Sequence, residues 1–211
     1  MIIAIDGPAA AGKGTLAKRL AAHLDFAFLD TGLIYRATGM KVVRAGGDPS
    51  DVAAAEAAAR SLAPEDMAAA DLRLDEAAQA ASKVAAIPGV RAALLDFQRA
   101  FALNPPDARK GAVLDGRDIG TVVCPDAPAK LFVTARTEVR AERRLKELRA
   151  RGEEAIYARV LQDMKERDAR DSNRGVAPLE PAKDAFLLDT SDLDAEAVFA
   201  KALEFIGSRG R

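Results

Sequence analysis

The sequence holds one cysteine and one histidine in 211 residues, and it has almost no net charge, with 31 Lys and Arg against 32 Asp and Glu. A lone Cys124 excludes an intrachain disulfide framework and fits a reducing compartment. No zinc-like ligand spacing exists. Cys124 has neither a basic cluster nor a histidine beside it, and His23 sits in the apolar-patterned stretch 13–24 as a packing or surface residue. A covalent mechanism through either finds little support. The formal charge of −1 gives no bulk attraction to nucleic acid or to a membrane surface. No apolar run reaches membrane-spanning length, and the opening MIIAI lacks the charged leader and cleavage site of a secretory signal. The expectation is a cytoplasmic protein with no membrane or nucleic-acid partner.

What is present is an ordinary soluble balance, 49% apolar and 30% charged, on a chain long enough to bury a real core. Residues 2–6, 26–30, 111–115, 130–135 and 184–189 read as short buried strands. Helical patterns cover 13–24 (Leu16, Leu20 and Leu24 on one face), 31–46, about 137–149, about 153–169 and 194–206. The block 49–103 is alanine-rich and mostly helical, broken at Pro64 and at Pro88-Gly89. Strands alternating with helices predict an α/β fold, a parallel sheet with helices on both faces. Residues 1–211 read as a single domain, with 49–103 as an insertion.

The chemistry starts at GPAAAGKGT, residues 7–15, set between the first strand and the first helix. Strand, then G-x-x-x-x-G-K, then helix cradles phosphate: backbone N–H groups point at the anion, the helix N-terminus adds its dipole, and Lys13 adds a point charge. The usual motif has a magnesium-binding Ser or Thr straight after the lysine. Here that place is Gly14, with Thr15 next, so magnesium is expected on the phosphates and waters, and Thr15 serves the phosphates. The GKGT ending fits a small-molecule kinase better than a switch GTPase, and no guanine-reading N-K-x-D is present.

Four clusters accompany the loop. DTGLIYR (30–36) sets Thr31, Tyr35 and Arg36 on neighbouring parts of one helical turn. DGRDIG (115–120) places Asp115, Arg117 and Asp118 at the carboxyl end of a strand, where ligands of parallel sheets bind. The arginine-dense RTEVRAERR (136–144) is either a solvated face or a mobile lid over a triphosphate. KERDARDSNR (165–174) repeats Arg167, Asp171 and Arg174 on one helical face, with Arg–Asp pairs placed to brace each other. A phosphate loop plus arginine clusters without a nucleophile is what phosphoryl transfer asks for, because its loose transition state needs positioning and positive charge.

These segments, with AASKVAAIPGVRAALLDFQRAF (80–101) and DGRDIGTVVCPDAPAKLFVTA (115–135), together resemble the bacterial cytidylate kinases from end to end. The resemblance implies the P-loop kinase fold with a five-stranded parallel sheet. It also implies an acceptor-side insertion at about 49–103, a lid at about 137–155, and transfer of the γ-phosphate of ATP, with Mg2+, to CMP or dCMP. By matching positions, Gly7, Pro8, Ala9, Ala10, Ala11, Gly12, Lys13, Gly14 and Thr15 would hold ATP. Thr31 (usually serine in the family) and Arg36 would bind the acceptor phosphate, with Tyr35 shaping that site. Ser82, Arg91 and Asp118 would read cytosine. Arg117 and Arg174 would grip phosphate, Arg167 and Asp171 the ribose, and Arg143 and Arg144 would belong to the lid. Lys13 and these phosphate-facing and lid arginines would stabilise the transferring group.

Two departures stand out. Ala9-Ala10 replaces an expected Ser-Gly in the loop, and residues 53–81 are shorter and richer in alanine than the β-rich insertion of many members. The rival readings are a kinase for another small acceptor (UMP, AMP or dephospho-coenzyme A) and a nucleotide sensor without chemistry, which would not need the acceptor-side arginines. The chain is expected to be a monomer.

Overall fold

Five short apolar runs make the strands: β1 (Ile2–Asp6), β2 (Ala27–Asp30), β3 (Ala112–Gly116), β4 (Ala129–Thr134) and β5 (Phe186–Asp189). A computed structural model describes residues 1–209; residues 210 and 211, the end of the expected domain span, lie outside the described residues. All neighbouring strands pair in parallel, in the order β2-β3-β1-β4-β5. The expected strand positions hold to within about two residues. The helices are α1 (Lys13–Leu24), α2 (Thr31–Arg44), α3 (Val52–Arg60), α4 (Pro64–Met67), α5 (Asp75–Val84), α6 (Pro88–Leu103), α7 (Thr137–Ala150), α8 (Tyr157–Asn173) and α9 (Ala195–Arg209).

The central strands are buried on both faces, which is why they read as unbroken apolar runs. Ile3 and Ile5 pack with Leu16, Leu20, Leu131 and Ile206 on the face covered by α1 and α9. Ala4, Ala112 and Leu114 face the other way, against Ala102 and Ile119. Burying each Ile or Leu stabilises the fold by about 1.5–3 kcal/mol. A second core joins α2, α3, α5 and α6 around Ile34, Val42, Val84, Val90 and Leu94. The two expected breaks in 49–103 are helix starts: Pro64 and Pro88 each occupy the first turn of a new helix, where a missing N–H costs nothing.

Register sets the site. Asp6 lies opposite Gly116, and Asp30 opposite Asp115. The loops leaving β1, β2 and β3 therefore emerge side by side at one edge. After β3 the chain makes a π-type turn over Ile119–Val123, held by the buried Asp6 carboxylate, which accepts from the N–H of Ile119 at 2.8 Å and of Gly120 at 2.7 Å. Among the described residues no helix is long and apolar enough to cross a membrane.

Candidate active site

The loop after β1 wraps the start of α1. Gly7 is obligatory there: its φ is +143°, and a Cβ would lie 1.9 Å from the Val133 carbonyl oxygen. Lys13 is buried, and its Nζ donates to Pro8 O at 2.8 Å, turned back over the loop it belongs to. Its nearest carboxylate is Asp115, at 4.0 Å. Burial, followed by the nearby Arg117, pulls the Lys13 ammonium down to about 7, and burial raises Asp115 above the usual carboxylate range. A Cβ at Gly14 would sit close against Asp115, 3.3 Å from its Oδ2. Ala10 takes a left-handed φ of 57°, the conformation for which glycine would be the unstrained choice.

The acceptor-side candidates come from five segments and line one cavity of about 980 Å³. That cavity contains Thr31, Tyr35, Arg36, Ser82, Arg91, Arg117, Asp118, Arg167, Asp171 and Arg174, together with Arg143, Arg144, Ala9, Ala10, Gly12, Lys13, Gly14 and Thr15. Gly7, Pro8 and Ala11 are buried behind it. At the β2 end Asp30 caps α2 through Leu33 N–H (3.1 Å) and pairs with Arg36 at 2.7 Å. Thr31 donates to Asp115 O at 2.8 Å. Arg91 is buried, donates to the Asp118 carboxylate, and lies 5.6 Å from the centre of the Tyr35 ring.

The brace expected within 165–174 is different in space. Helix α8 ends at Asn173, so Arg174 leaves the shared face. Asp171 pairs across the cleft with Arg117 Nε at 3.1 Å instead of with its helical neighbours. Burial alone would raise the Asp171 carboxyl, but Arg117, Arg167 and Arg174 outweigh it and hold the group below its usual range. Arg167 makes no hydrogen bond among the described residues, its Nε being buried and unpartnered. Burial and Arg117 pull it down to about 10. Arg174 Nη2 is likewise buried without a hydrogen bond, 3.8 Å from Asp118.

The arginines of 136–144 separate four ways. Arg136 pairs with Asp192 at the surface, and buried Arg140 ties Ala135 O, Asp168 and Ala9 O together. Arg143 donates to Thr190 Oγ1 (2.9 Å) and O (2.7 Å), and Arg144 crosses to Asp75 on α5 at 2.7 Å. The segment is thus neither wholly a solvated face nor wholly free. Sequence reasoning gave no part to Asp6, Arg140, Asp168, Arg170 or Thr190. Thr190, which directly follows β5 and whose hydroxyl donates to Ala11 O at 3.0 Å, could have been suspected from its place at the ligand-bearing edge of the sheet. His23 is exposed and meets Phe199 edge to face. Cys124 is buried, and burial pushes its thiol up to about 11.

A second, apolar cavity of about 310 Å³ opens on the far side of the loop, lined by Ala11, Leu16, Leu193, Val198 and others, and shares Gly12, Thr15 and Arg143 with the first. In the larger cavity eleven Lys and Arg face seven Asp and Glu, although the whole chain carries −1. The positive charge is focused where the unpartnered guanidinium nitrogens lie, as an anionic ligand requires.

A family profile described as Cytidylate kinase matches residues 3–208. The chain is 74% identical over 208 residues to a cytidylate kinase of Paramagnetospirillum magneticum, covering 99% of this chain and 98% of that one. It is 59% identical to a cytidylate kinase of Rhodospirillum rubrum over 211 residues, 100% and 99% of the two chains. Among solved structures it is similar in fold to an uncharacterized protein from Eubacterium ventriosum (TM-score 0.58, 17% identity, 99% of each chain). It is similar also to TT1252 from Thermus thermophilus (TM-score 0.50, 19% identity, 99% and 96%).

Proposed function

The chain belongs to the cytidylate kinase family and phosphorylates CMP and dCMP at the expense of ATP, and we propose that the two joined cavities divide that reaction between them. The apolar cavity suits the adenosine of ATP, with Thr15 and Arg143 at the passage through which the phosphates enter the charged cleft. The loop 7–15 holds the triphosphate by its backbone. Thr31 and Arg36 bind the acceptor phosphate, Arg117 and Arg174 bind phosphate oxygens nearer the transfer, and Arg167 with Asp171 bind the ribose. Tyr35 packs beside Arg91, and Arg91, Asp118 and Ser82 read the base. The carrying observation is the convergence of all these residues on one cavity that holds an excess of cations.

The electrostatics say what a nucleotide does there. Lys13, Arg167 and Arg174 are all held below their ordinary values, by burial first and by neighbouring cations next. Phosphate oxygens reverse that penalty. As charge spreads over the transferring group, Lys13 leaves the Pro8 carbonyl and the arginines of the cleft stabilise it. The Arg91–Asp118 pair keeps a donor and an acceptor fixed side by side. Cytosine presents a 4-amino donor to Asp118 and the acceptors N3 and O2 to Arg91; uracil offends both.

Among the described residues no three acidic, His or Cys side chains converge as a metal cage. That donor set fits Mg2+ carried on ATP phosphates and waters, with Asp115 as the nearby carboxylate and Thr15 as the nearby hydroxyl. When bound, the ion neutralises charge on the phosphates. The segment 137–155 acts as a lid closing on the insertion 49–103 within one domain, and the protein works as a cytoplasmic monomer without nucleic-acid or membrane partners.

The test is ADP release from ATP with CMP, dCMP, UMP and AMP in parallel. CMP and dCMP are expected to drive turnover well above UMP, and AMP to drive none. Turnover independent of the acceptor base would sink the division of roles.

A further inference from the structure

Helix α8 carries the repeat Arg167-Asp168-Ala169-Arg170-Asp171, and each charge takes a different direction. Asp168 holds Arg140 of α7 (2.7 Å), Asp171 holds Arg117 after β3 (3.1 Å), and Arg167 faces the cleft. Arg170 reaches α5. Its Nη2 donates to Gln79 Oε1 at 2.9 Å and its Nε to Ser82 Oγ at 3.2 Å. Gln79 and Ser82 line the cavity, whereas Arg170 does not. The guanidinium sits behind the cavity wall and grips the two side chains that stand one turn apart in it.

We propose that Arg170 is a positioning residue for recognition of the acceptor base, acting through Ser82. Helix α5 is DEAAQAASKV, so most of its inner face is methyl groups, and its polar cavity side chains have little else to fix them. Ser82 is buried, and the only hydrogen bond of its hydroxyl among the described residues is the one it accepts from Arg170. A cation donating into one lone pair turns the hydroxyl proton away from itself. Ser82 therefore presents a preset donor to the cavity, matched to an acceptor on the base. Removing Arg170 leaves a buried hydroxyl free to rotate and to present either polarity. The inference rests on the assignment of Ser82 to the base site.

A double-mutant cycle tests it, with KM for CMP, KM for ATP and kcat measured for wild type, Arg170→Met, Ser82→Ala and the double variant. Arg170→Met is expected to raise KM for CMP about tenfold, with kcat and KM for ATP within about twofold; in the Ser82→Ala background the same change is expected to raise it less than about twofold. Arg170→Lys, which keeps a single charged donor, should fall between, and it carries the same cycle should the Met variant not fold. Multiplying losses in the double variant would show that Arg170 does not act through Ser82. An unchanged KM for CMP in Arg170→Met, alongside a raised one in Ser82→Ala, overturns the role of Arg170 and leaves the base site standing. An unchanged KM in Ser82→Ala removes Ser82 from the base site and this inference with it.

Discussion

The two sides of the cleft are built differently. The side proposed for ATP is one contiguous loop, 7–15, with a single buried cation, Lys13, folded back on it. The side proposed for the acceptor is made of side chains from α2, α5, α6, the turn after β3, and α8, several of them paired: Arg36 with Asp30, Arg91 with Asp118, Arg117 with Asp171. A site read through its backbone would tolerate a change of its side chains, such as Ala9-Ala10 in place of the expected Ser-Gly. A side-chain site does not, because removing either member of a buried pair strands the other.

The largest break in that contrast is expected at Lys13, the buried cation of the loop. Lys13→Ala is expected to lower kcat by about 10²–10³, the scale of one lost transition-state donor, while the melting temperature holds. Near-normal turnover in steady-state assays would remove the loop lysine from the reaction.

Next comes Asp118, whose replacement by Asn removes the charge that partners Arg91 and presents NH2 where cytosine would need an acceptor. Asp118→Asn is expected to lower kcat/KM for CMP and to shrink the CMP:UMP preference by about 1–3 kcal/mol, without full reversal because Arg91 still opposes uracil N3–H. An unchanged CMP:UMP ratio would show that Asp118 does not read the base.

The same contrast explains what could be read from residues alone. The loop was legible because its glycines, its lysine and the flanking strand and helix are neighbours in sequence. The acceptor residues were legible only as short clusters and through family resemblance, since nothing in the spacing of Ser82, Arg91 and Asp118 says that they meet. The partner of Asp171 differs from the helical expectation for that reason: spacing sets Arg167 on the same face of the helix, but the bond Asp171 makes is the tertiary one to Arg117. The roles of Arg140 and Arg170 were invisible because their partners Asp168 and Ser82 lie 28 and 88 positions away.

Protonation gives a third, smaller test. Ligand-free Lys13 is pulled down to about 7 from an ordinary 10.5, so it is charged mainly below that pH, and phosphate oxygens favour the charged form. Nucleotide binding above pH 7 should therefore take up a proton, and affinity should fall a little under tenfold from pH 7.5 to 8.5, where the nucleotide itself is fully ionised. Titration calorimetry in buffers of different ionisation heat reads the uptake directly. Its absence would place the ligand-free lysine well above 7. Lys13→Arg, charged throughout, should abolish the slope.

The smallest effect tests the claim that the loop is read as backbone. Ala9 and Ala10 are both half-buried, and both pack against the α7–α8 core, but only Ala10 has a positive φ, 57°. Replacing either by glycine loses a methyl contact and loosens the unfolded chain, at a cost of about 0.5–1 kcal/mol for the latter. At position 10 alone glycine also relieves the left-handed strain, roughly 1–2 kcal/mol for a residue with a Cβ. The shared terms cancel in the comparison, so Ala10→Gly should be more stable than Ala9→Gly by about 1 kcal/mol or more, about 2–4 °C in melting temperature per kcal/mol at this size. Both variants should keep kcat and KM for ATP within about twofold, since no side chain that holds phosphate is touched. Equal melting temperatures would mean that the loop does not hold its left-handed turn at Ala10 in solution. A large loss of activity in Ala10→Gly, with stability unharmed, would mean that the methyl group itself helps hold ATP, and the division between a backbone side and a side-chain side would fail.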